Sequence, residues 1–366
     1  MPKSASIFRR AGHPFRAAAK AGVFFLKVFP MLPSRAVDWV TPTPTVQKVR
    51  YPTSTGFAEG DVYRPSGPGP YPAVLVCLGV VPFEVNHPQV PVLGKALARA
   101  GFAALLYWSP AMRDFRLDPE DLENIPLAYD WLIRQPYVDA GKSGLLGTCV
   151  GGSFALMAAA HALIRDRVAW IGAYAPFSSM WTFARDIASA TVDTEDGVKI
   201  WRVDQLTRKV FTHSLTEQLE SGEAQRLRAA FEGVEAKRFD PCDLSADGRS
   251  IYDLLNTPGR NEMDTVLRQL PPNLQETLTV LSPMTYTQDL RAPLIAVLHD
   301  RGDQLIPIGE SRRLIAALNG RPGLHFTEMN FSHLDPVKGK LPFFRLLREL
   351  GKFFRAVLPM FWEVTE

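Results

Sequence analysis

Cys149 sits in the run Gly144-Leu145-Leu146-Gly147-Thr148-Cys149-Val150-Gly151-Gly152-Ser153, where its type and neighbours could make it a nucleophile. An apolar stretch leads into it and a helix-like run, 154–160, leads away. The thiol is therefore expected at the apex of a sharp strand-to-helix turn. Such a turn strains the apical backbone and needs tiny residues on either side, a need met by Gly147, Gly151 and Gly152. The dipole of the following helix would favour thiolate. Two more residues could complete the chemistry. Asp303 lies in a polar loop that follows the apolar stretch 293–299 and exits at Pro307, and His333 ends the later stretch 326–333. A histidine can take the thiol proton and return it to a leaving group. An aspartate can hold the ring tautomer and stabilise its cation. The chemistry expected is attack of Cys149 on an acyl carbonyl.

Each assignment has a plain competitor. Cys149 could be a buried structural cysteine or the relic of a serine site. Asp303 could be a turn former with Asp300 as the acid, although its spacing to Pro307 favours Asp303. His333 could cap a strand end. The other histidines fit less well: His13, His161 and His213 fall on helix-like segments, His325 lies inside a strand, and His299 ends the strand before the acid loop. His87 lies in the loop after the strand 72–78. Cys77 reads as core packing and Cys242 as a loop cysteine.

The elements needed to position these residues are legible as well. Stretches 46–51 and 56–63 read as an edge hairpin. Stretches 72–78, 102–108, 143–148 and 168–175 read as buried strands, with helices at 90–100 and 119–135 and Asp118 as a cap. Regular strand–helix alternation means a doubly wound, mostly parallel sheet. The alternation stops at Pro176. Segment 177–290 reads as mostly helical (203–210, 214–231, 261–270), with loops at 239–249 and 271–272. The sheet resumes at 293–299 and 324–329, with a helix at 309–318 between them and a last helix at about 341–358.

Taken together, the cysteine motif, the acid loop and the order cysteine–acid–histidine resemble the α/β-hydrolase superfamily, and within it the dienelactone-hydrolase-like branch. The run Gly60-Asp61-Val62-Tyr63-Arg64-Pro65, continuing to Pro72-Ala73-Val74-Leu75-Val76, is similar to that branch's entry to its third strand. The resemblance covers about 46–176 and 282–354. One departure is Asp300, where the superfamily has a glycine. The resemblance implies an α/β-hydrolase fold with a helical cap inserted after the sixth strand, and a Cys149–His333–Asp303 triad. It also implies an oxyanion hole made by the backbone N–H groups of Val80 and Val150. The division expected is 1–36 as an N-terminal basic segment, 37–176 as the first part of the core, 177–290 as the cap, and 291–366 as the second part of the core. Aromatics such as Trp181, Phe183, Trp201, Phe211 and Tyr252 could line the acyl pocket or form the cap's own core.

Composition agrees with an enzyme-sized globule. The 366 residues are 46% apolar and 22% charged, which excludes global disorder. A net charge of +3 is too small to suggest nucleic acid. Three widely spaced cysteines argue against a disulfide framework and for a reducing, cytoplasmic setting. The seven histidines are scattered, so no metal or other cofactor is expected. The partner expected is a small-molecule acyl substrate.

At the N-terminus, Arg9, Arg16, Lys20 and Lys27 fall on one helical stripe opposite Phe15, Ala18, Gly22, Phe25, Leu26 and Phe29. Pro14 suits the helix start. Such a helix could pack on its own domain or make peripheral contact with an anionic membrane. The last helix is also amphipathic, with Arg345, Arg348, Lys352 and Arg355 opposite Phe343, Leu347, Leu350, Phe354 and Val357. Three functional classes remain: a hydrolase of esters, lactones or thioesters, an acyltransferase of the same fold, and a non-catalytic binding protein.

Overall fold

The computed structural model describes residues 4–29, 32, 34–81, 89–232, 241–256, 259–330 and 343–365. Its centre is an eight-stranded sheet in the order β1-β2-β4-β3-β5-β6-β9-β10. The strands are β1 (Thr45–Thr53), β2 (Gly56–Arg64), β3 (Tyr71–Cys77), β4 (Ala103–Tyr107), β5 (Val138–Thr148), β6 (Trp170–Tyr174), β9 (Leu294–Asp300) and β10 (Leu324–Met329). β1 and β2 form the antiparallel edge hairpin, β2 is also antiparallel to its neighbour β4, and all later pairings of the sheet are parallel.

The sheet is buried on both faces because alternate residues of each central strand serve different layers. Leu75, Cys77, Leu105, Tyr107, Leu145, Ile295 and Val297 face one core, shared with α5 (Asp121–Ile133) and α6 (Val150–Ala159). Val74, Val76, Ala104, Leu106, Leu294, Ala296 and Leu298 face the other. That second core is closed by α1 (Ser4–Val28), α3 (Gln89–Arg99) and α14 (Phe343–Glu363).

Between β6 and β9 the chain is mainly helical. It holds α7 (Met180–Ser189), the exposed hairpin of β7 (Thr191–Thr194) and β8 (Gly197–Ile200), then α8 (Gln205–Thr216) and α9 (Ser221–Glu232). After these come α10 (Ala246–Asn256), α11 (Arg260–Arg268) and α12 (Pro272–Val280). Three details differ from the sequence reading. The stretch 214–231 is two helices, because Glu220 accepts the amides of Gly222 and Glu223 and starts a new one. Part of the expected loop 239–249 is helical, with Ser245 Oγ accepting the Gly248 amide at its start. Pro271-Pro272 begins a helix rather than filling a loop, in keeping with proline's preset φ at a first turn. Asp118 likewise caps a turn ahead of α5, accepting the Glu120 amide.

The N-terminal helix starts earlier than expected and carries Pro14 inside it. It buries Ala17, Ala21 and Phe24, a stripe between the basic and the aromatic stripes read from the sequence, and Phe29 of the aromatic stripe is buried just past its end. The small alanines let α1 approach α3 and α14 closely, whereas Phe15 is 78% exposed. Phe24 meets Phe361, and Phe25 meets Phe353 and Phe354. Lys27 is not a free surface charge, since it pairs with Asp38 at 2.7 Å. The molecule itself therefore covers much of the face that could have sought a bilayer. No helix among the described residues is long and apolar enough to cross a membrane. A chain starting at Val37 is expected to lose about 3 kcal/mol or more of stability, because burying one phenylalanine contributes about 1.5–3 kcal/mol and several rings are uncovered. Urea denaturation followed by circular dichroism measures this, and an unchanged midpoint would mean that α1 is a passive appendage.

Candidate active site

Cys149 sits between β5 and α6 with φ 56° and ψ −134°, a region that L-residues seldom adopt. Its N–H donates to the carbonyl of Tyr174 at 2.8 Å, which pins the apex to the end of the neighbouring strand. The two arms of the turn touch backbone to backbone. A Cβ on Gly147 would lie 2.2 Å from the Gly151 oxygen, and one on Gly151 would lie 2.3 Å from the Cys77 oxygen. Gly152 is less confined, with nothing nearer than 3.3 Å, so the strict requirement falls on the other two. Ser153 is fully buried and ties α6 to the end of β6. Its hydroxyl accepts the Phe177 amide at 2.8 Å and is 3.1 Å from the Phe177 carbonyl.

The loop after β3 lies against this turn. Thr148 Oγ1 donates to the Leu78 carbonyl at 2.8 Å. Gly79, at φ 73°, packs so close that a Cβ there would be 2.6 Å from the Thr148 oxygen. Among the described residues, no hydrogen bond takes up the amide of Val80 or that of Val150. Val150 opens α6, where N–H groups have no intrahelical acceptor. Both amides thus remain able to bind an anion. His87, expected from the sequence in this loop, lies outside the described residues.

The acid loop joins β9 to α13 (Ile308–Ala317). Asp303 is buried, and its Oδ1 accepts the amides of Leu305 at 2.7 Å and Ile306 at 3.1 Å. It is therefore a loop former and a buried carboxylate at once. Asp300 is also buried, at the end of β9, and its Oδ1 accepts the Gly302 amide. His299 lies wholly inside and braces the loop. Its Nε2 is 2.9 Å from the Ile306 carbonyl, which requires a proton there, and its Nδ1 is 2.7 Å from Ser311 Oγ. His299 Nε2 is 3.8 Å from Asp303 Oδ2.

His333 lies outside the described residues. The strand that leads to it is described: β10 pairs with β9 with Met329 opposite Asp300, and the Asn330 amide donates to the buried Glu349 at 3.0 Å. The C-terminal ends of β5, β6, β9 and β10 stand side by side in that order, so Cys149, Tyr174 and Asp300 follow one another along one rim of the sheet.

Tyr174 does not stand out in the sequence, where it reads as one more apolar strand residue. Burial, with Asp300, Asp303 and Cys149 nearby, pushes its phenol well above the ordinary value, so it stays protonated. The next residue, Ala175, is also at positive φ, 50°, and its amide donates to Leu298. No sequence pattern announces that bend.

Cys149 opens into a slot with almost wholly apolar walls. They come from the body (Val80, Leu117, Val150), from α7 (Met180, Phe183, Ile187), from α8 (Leu206, Val210, Phe211) and from the acid loop (Leu305, Ile306). Two hydroxyls on α8 are turned to protein: Thr207 donates to the Leu305 carbonyl, and Ser214 donates to Val210 and accepts from Leu117. Of the aromatics singled out above, Phe183 and Phe211 line the slot. Trp201 backs Phe183, while Tyr252 packs on Phe231 and Trp181 donates to Thr279. The slot spans about 450 Å³ including its open mouth, yet only about 30 Å³ of it is wide enough for a water molecule.

The two helical walls are held unequally. α7 is rooted by the buried Glu310, which accepts the Ser178 amide at 2.8 Å and the Thr182 hydroxyl at 2.8 Å and pairs with Arg313. Asp186 of α7 pairs with Arg260 at 2.8 Å and Arg313 at 3.2 Å. Buried charged groups of this kind cost several kcal/mol to separate, whereas the hydroxyl bonds of α8 contribute about 1 kcal/mol each.

No protein-family model matches the chain, and no curated protein is similar to it in sequence. Solved structures are similar in fold. Brefeldin A esterase, described as a bacterial homologue of human hormone sensitive lipase, aligns at TM-score 0.51 and 15% identity, over 95% of this chain and 85% of its own. The 2,6-dihydroxy-pseudo-oxynicotine hydrolase aligns at TM-score 0.51 and 15% identity, over 86% of this chain and 69% of its own. An acylaminoacyl peptidase of Pyrococcus horikoshii aligns at TM-score 0.50 and 14% identity over 86% of this chain, which spans only 41% of the peptidase. With its mostly parallel eight-stranded sheet and flanking helices, the chain has the α/β-hydrolase fold. Likeness at this level of identity speaks to fold and leaves activity to be argued from the site.

Proposed function

We propose that the protein is an acyl hydrolase that uses Cys149 as its nucleophile. Its substrate is a carboxylic ester, lactone or thioester with a compact apolar acyl group. The observation that carries this reading is the backbone of Cys149, held at φ 56° at the foot of an apolar slot. Strained backbone persists only where the surrounding structure over-determines it, and here the strain aims a thiol into a cavity. The resemblance of the Gly147–Gly152 motif to the dienelactone-hydrolase-like branch supports the same reading. So do the names of the fold's neighbours, which are an esterase, a hydrolase and a peptidase.

In this mechanism His333 takes the Cys149 proton as Sγ bonds to the acyl carbon. The amides of Val80 and Val150 meet the oxyanion, and Asp303 orients the ring. Collapse of the adduct expels the alkoxide or thiolate, which leaves with the proton from His333. Water, deprotonated by His333, then attacks the thioester and releases the acid.

Among the described residues the slot's walls carry no cationic side chain, and burying a carboxylate unpaired in its apolar part costs several kcal/mol. Intact-mass analysis after exposure to p-nitrophenyl acetate, butyrate and mono-succinate is expected to show an acyl adduct on Cys149. The neutral esters should acylate about tenfold faster or more than the anionic one. No adduct with any ester would leave a binding protein that keeps the fold.

A second reading, acyl transfer, draws on the tightness of the slot. A closed apolar pocket keeps water from a thioester and so favours a bound acceptor over hydrolysis. Release of the leaving group in a burst, followed by turnover that depends on added alcohol or thiol, would select this reading.

A further inference from the structure

At the opposite end of the sheet from Cys149, where β3 and β5 begin, lies a second cavity of about 380 Å³. Among the described residues its charged lining is Lys20 of α1, Arg99 of α3, and Lys142 and Asp139 of β5, three cations to one carboxylate. The partners are unevenly shared. Arg99 is already held by Asp38 at 2.9 Å and by Thr41 Oγ1 at 2.6 Å. Asp139 is 3.4 Å from Lys142. Lys20 has no carboxylate within ion-pair reach among the described residues, although it is half-buried. Its ammonium lies over Gly101, where a Cβ would come 3.6 Å from Nζ.

We infer that this cavity binds a phosphate monoester, its oxyanion held between Lys20 and Lys142 and its organic body resting on the surrounding prolines and Tyr71. The chemistry favours such a ligand. An ammonium drawn out of water beside other cations is unstable without an anion. Burial, Lys142 and Arg16 all lower the Lys20 pKa, which an oxyanion would reverse. Pro42, Pro65, Pro70 and Pro72 line the cavity and carry no N–H, and Arg99 is engaged by Asp38 and Thr41, so recognition of charge falls chiefly to the two lysines. The same proline rings and Tyr71 form an apolar shelf suited to a carbon skeleton.

Calorimetric titration of the full chain with phenyl phosphate, inorganic phosphate and phenol, at constant ionic strength, tests it. Phenyl phosphate is expected to bind saturably and more tightly than either of the others. Lys20→Met and Lys142→Met should each weaken it by about tenfold or more, and Lys20→Arg by less. In the unaltered protein, NMR of isotope-labelled lysine should show the Lys20 pKa rising when phenyl phosphate is added, which needs no variant to fold. Flotation with phosphatidate vesicles separates the sources of the group: flotation lost in Lys20→Met identifies a membrane-borne phosphate, and binding of phenyl phosphate without flotation identifies a soluble one. Undetectable binding at millimolar phenyl phosphate, unchanged affinity in Lys20→Met, or phenol binding as tightly as its phosphate would overturn the inference.

Discussion

Cys149→Ala is expected to abolish turnover, by about 10⁴-fold or more, while leaving the fold intact. The side chain is half-buried at the apex of the turn, and an alanine there keeps the backbone bond to Tyr174 and opens only a small void. Circular dichroism and the denaturation midpoint should match the unaltered protein, and the p-nitrophenyl ester assay should fall to background. Cys149→Ser should retain part of the activity, since the same turn would present a hydroxyl that depends more heavily on its base. Within the same series, His333→Ala should cost several orders of magnitude and Asp303→Asn somewhat less. Asp300 is buried on the same rim, one strand residue from His299, so Asp300→Asn is the informative control. A larger loss from Asp300→Asn than from Asp303→Asn would move the acid to Asp300. Undiminished turnover by Cys149→Ala would remove the nucleophile from the account altogether.

Gly147→Ala and Gly151→Ala are expected to be among the most damaging single-methyl changes in the molecule, each costing about 3–5 kcal/mol. In both cases the added Cβ meets backbone, at 2.2 Å for Gly147 and 2.3 Å for Gly151, and backbone cannot swing aside as a flexible side chain would. Relief would require β5, α6 and the end of β3 to separate at the point where they converge on Cys149. Gly152 provides the internal comparison. Its nearest neighbours would be 3.3 Å from a new Cβ, so Gly152→Ala should cost no more than about 1.5 kcal/mol. Urea denaturation of the three variants reads the difference. Equal losses at all three positions would mean that the turn relaxes more freely than its geometry implies.

Several features of this protein are legible in its residues because they depend on near neighbours along the chain. The strand stretches 72–78 and 293–298 are recognisable as apolar runs of strand length bounded by turn-forming residues. Cys149 is recognisable because small residues crowd around it, and a crowded turn leaves its mark in composition. Asp303 stands out because loop carboxylates that bind amides two and three residues on need a fixed local spacing, seen here to Leu305 and Ile306. A helix boundary set by a side-chain cap, such as Glu220, is harder to read, because a glutamate in a helical run looks like more helix.

Other features were decided only by tertiary packing. Which stripe of α1 turns inward depends on α3 and α14, and their ridges accept the small Ala17 and Ala21 where periodicity alone offered the aromatic side. The placing of Tyr174 near Cys149, Asp300 and Asp303 depends on three strands ending at one rim. The walls of the slot come from segments as distant as Val80, Leu117, Phe211 and Ile306. The sequence by itself determined the alternation of strands and helices, the two-sided burial of the sheet and the identity of the crowded cysteine, because each follows from contacts a few residues apart. The tertiary structure decided what surrounds that cysteine, because those contacts join residues far apart in the chain, and no local pattern encodes them.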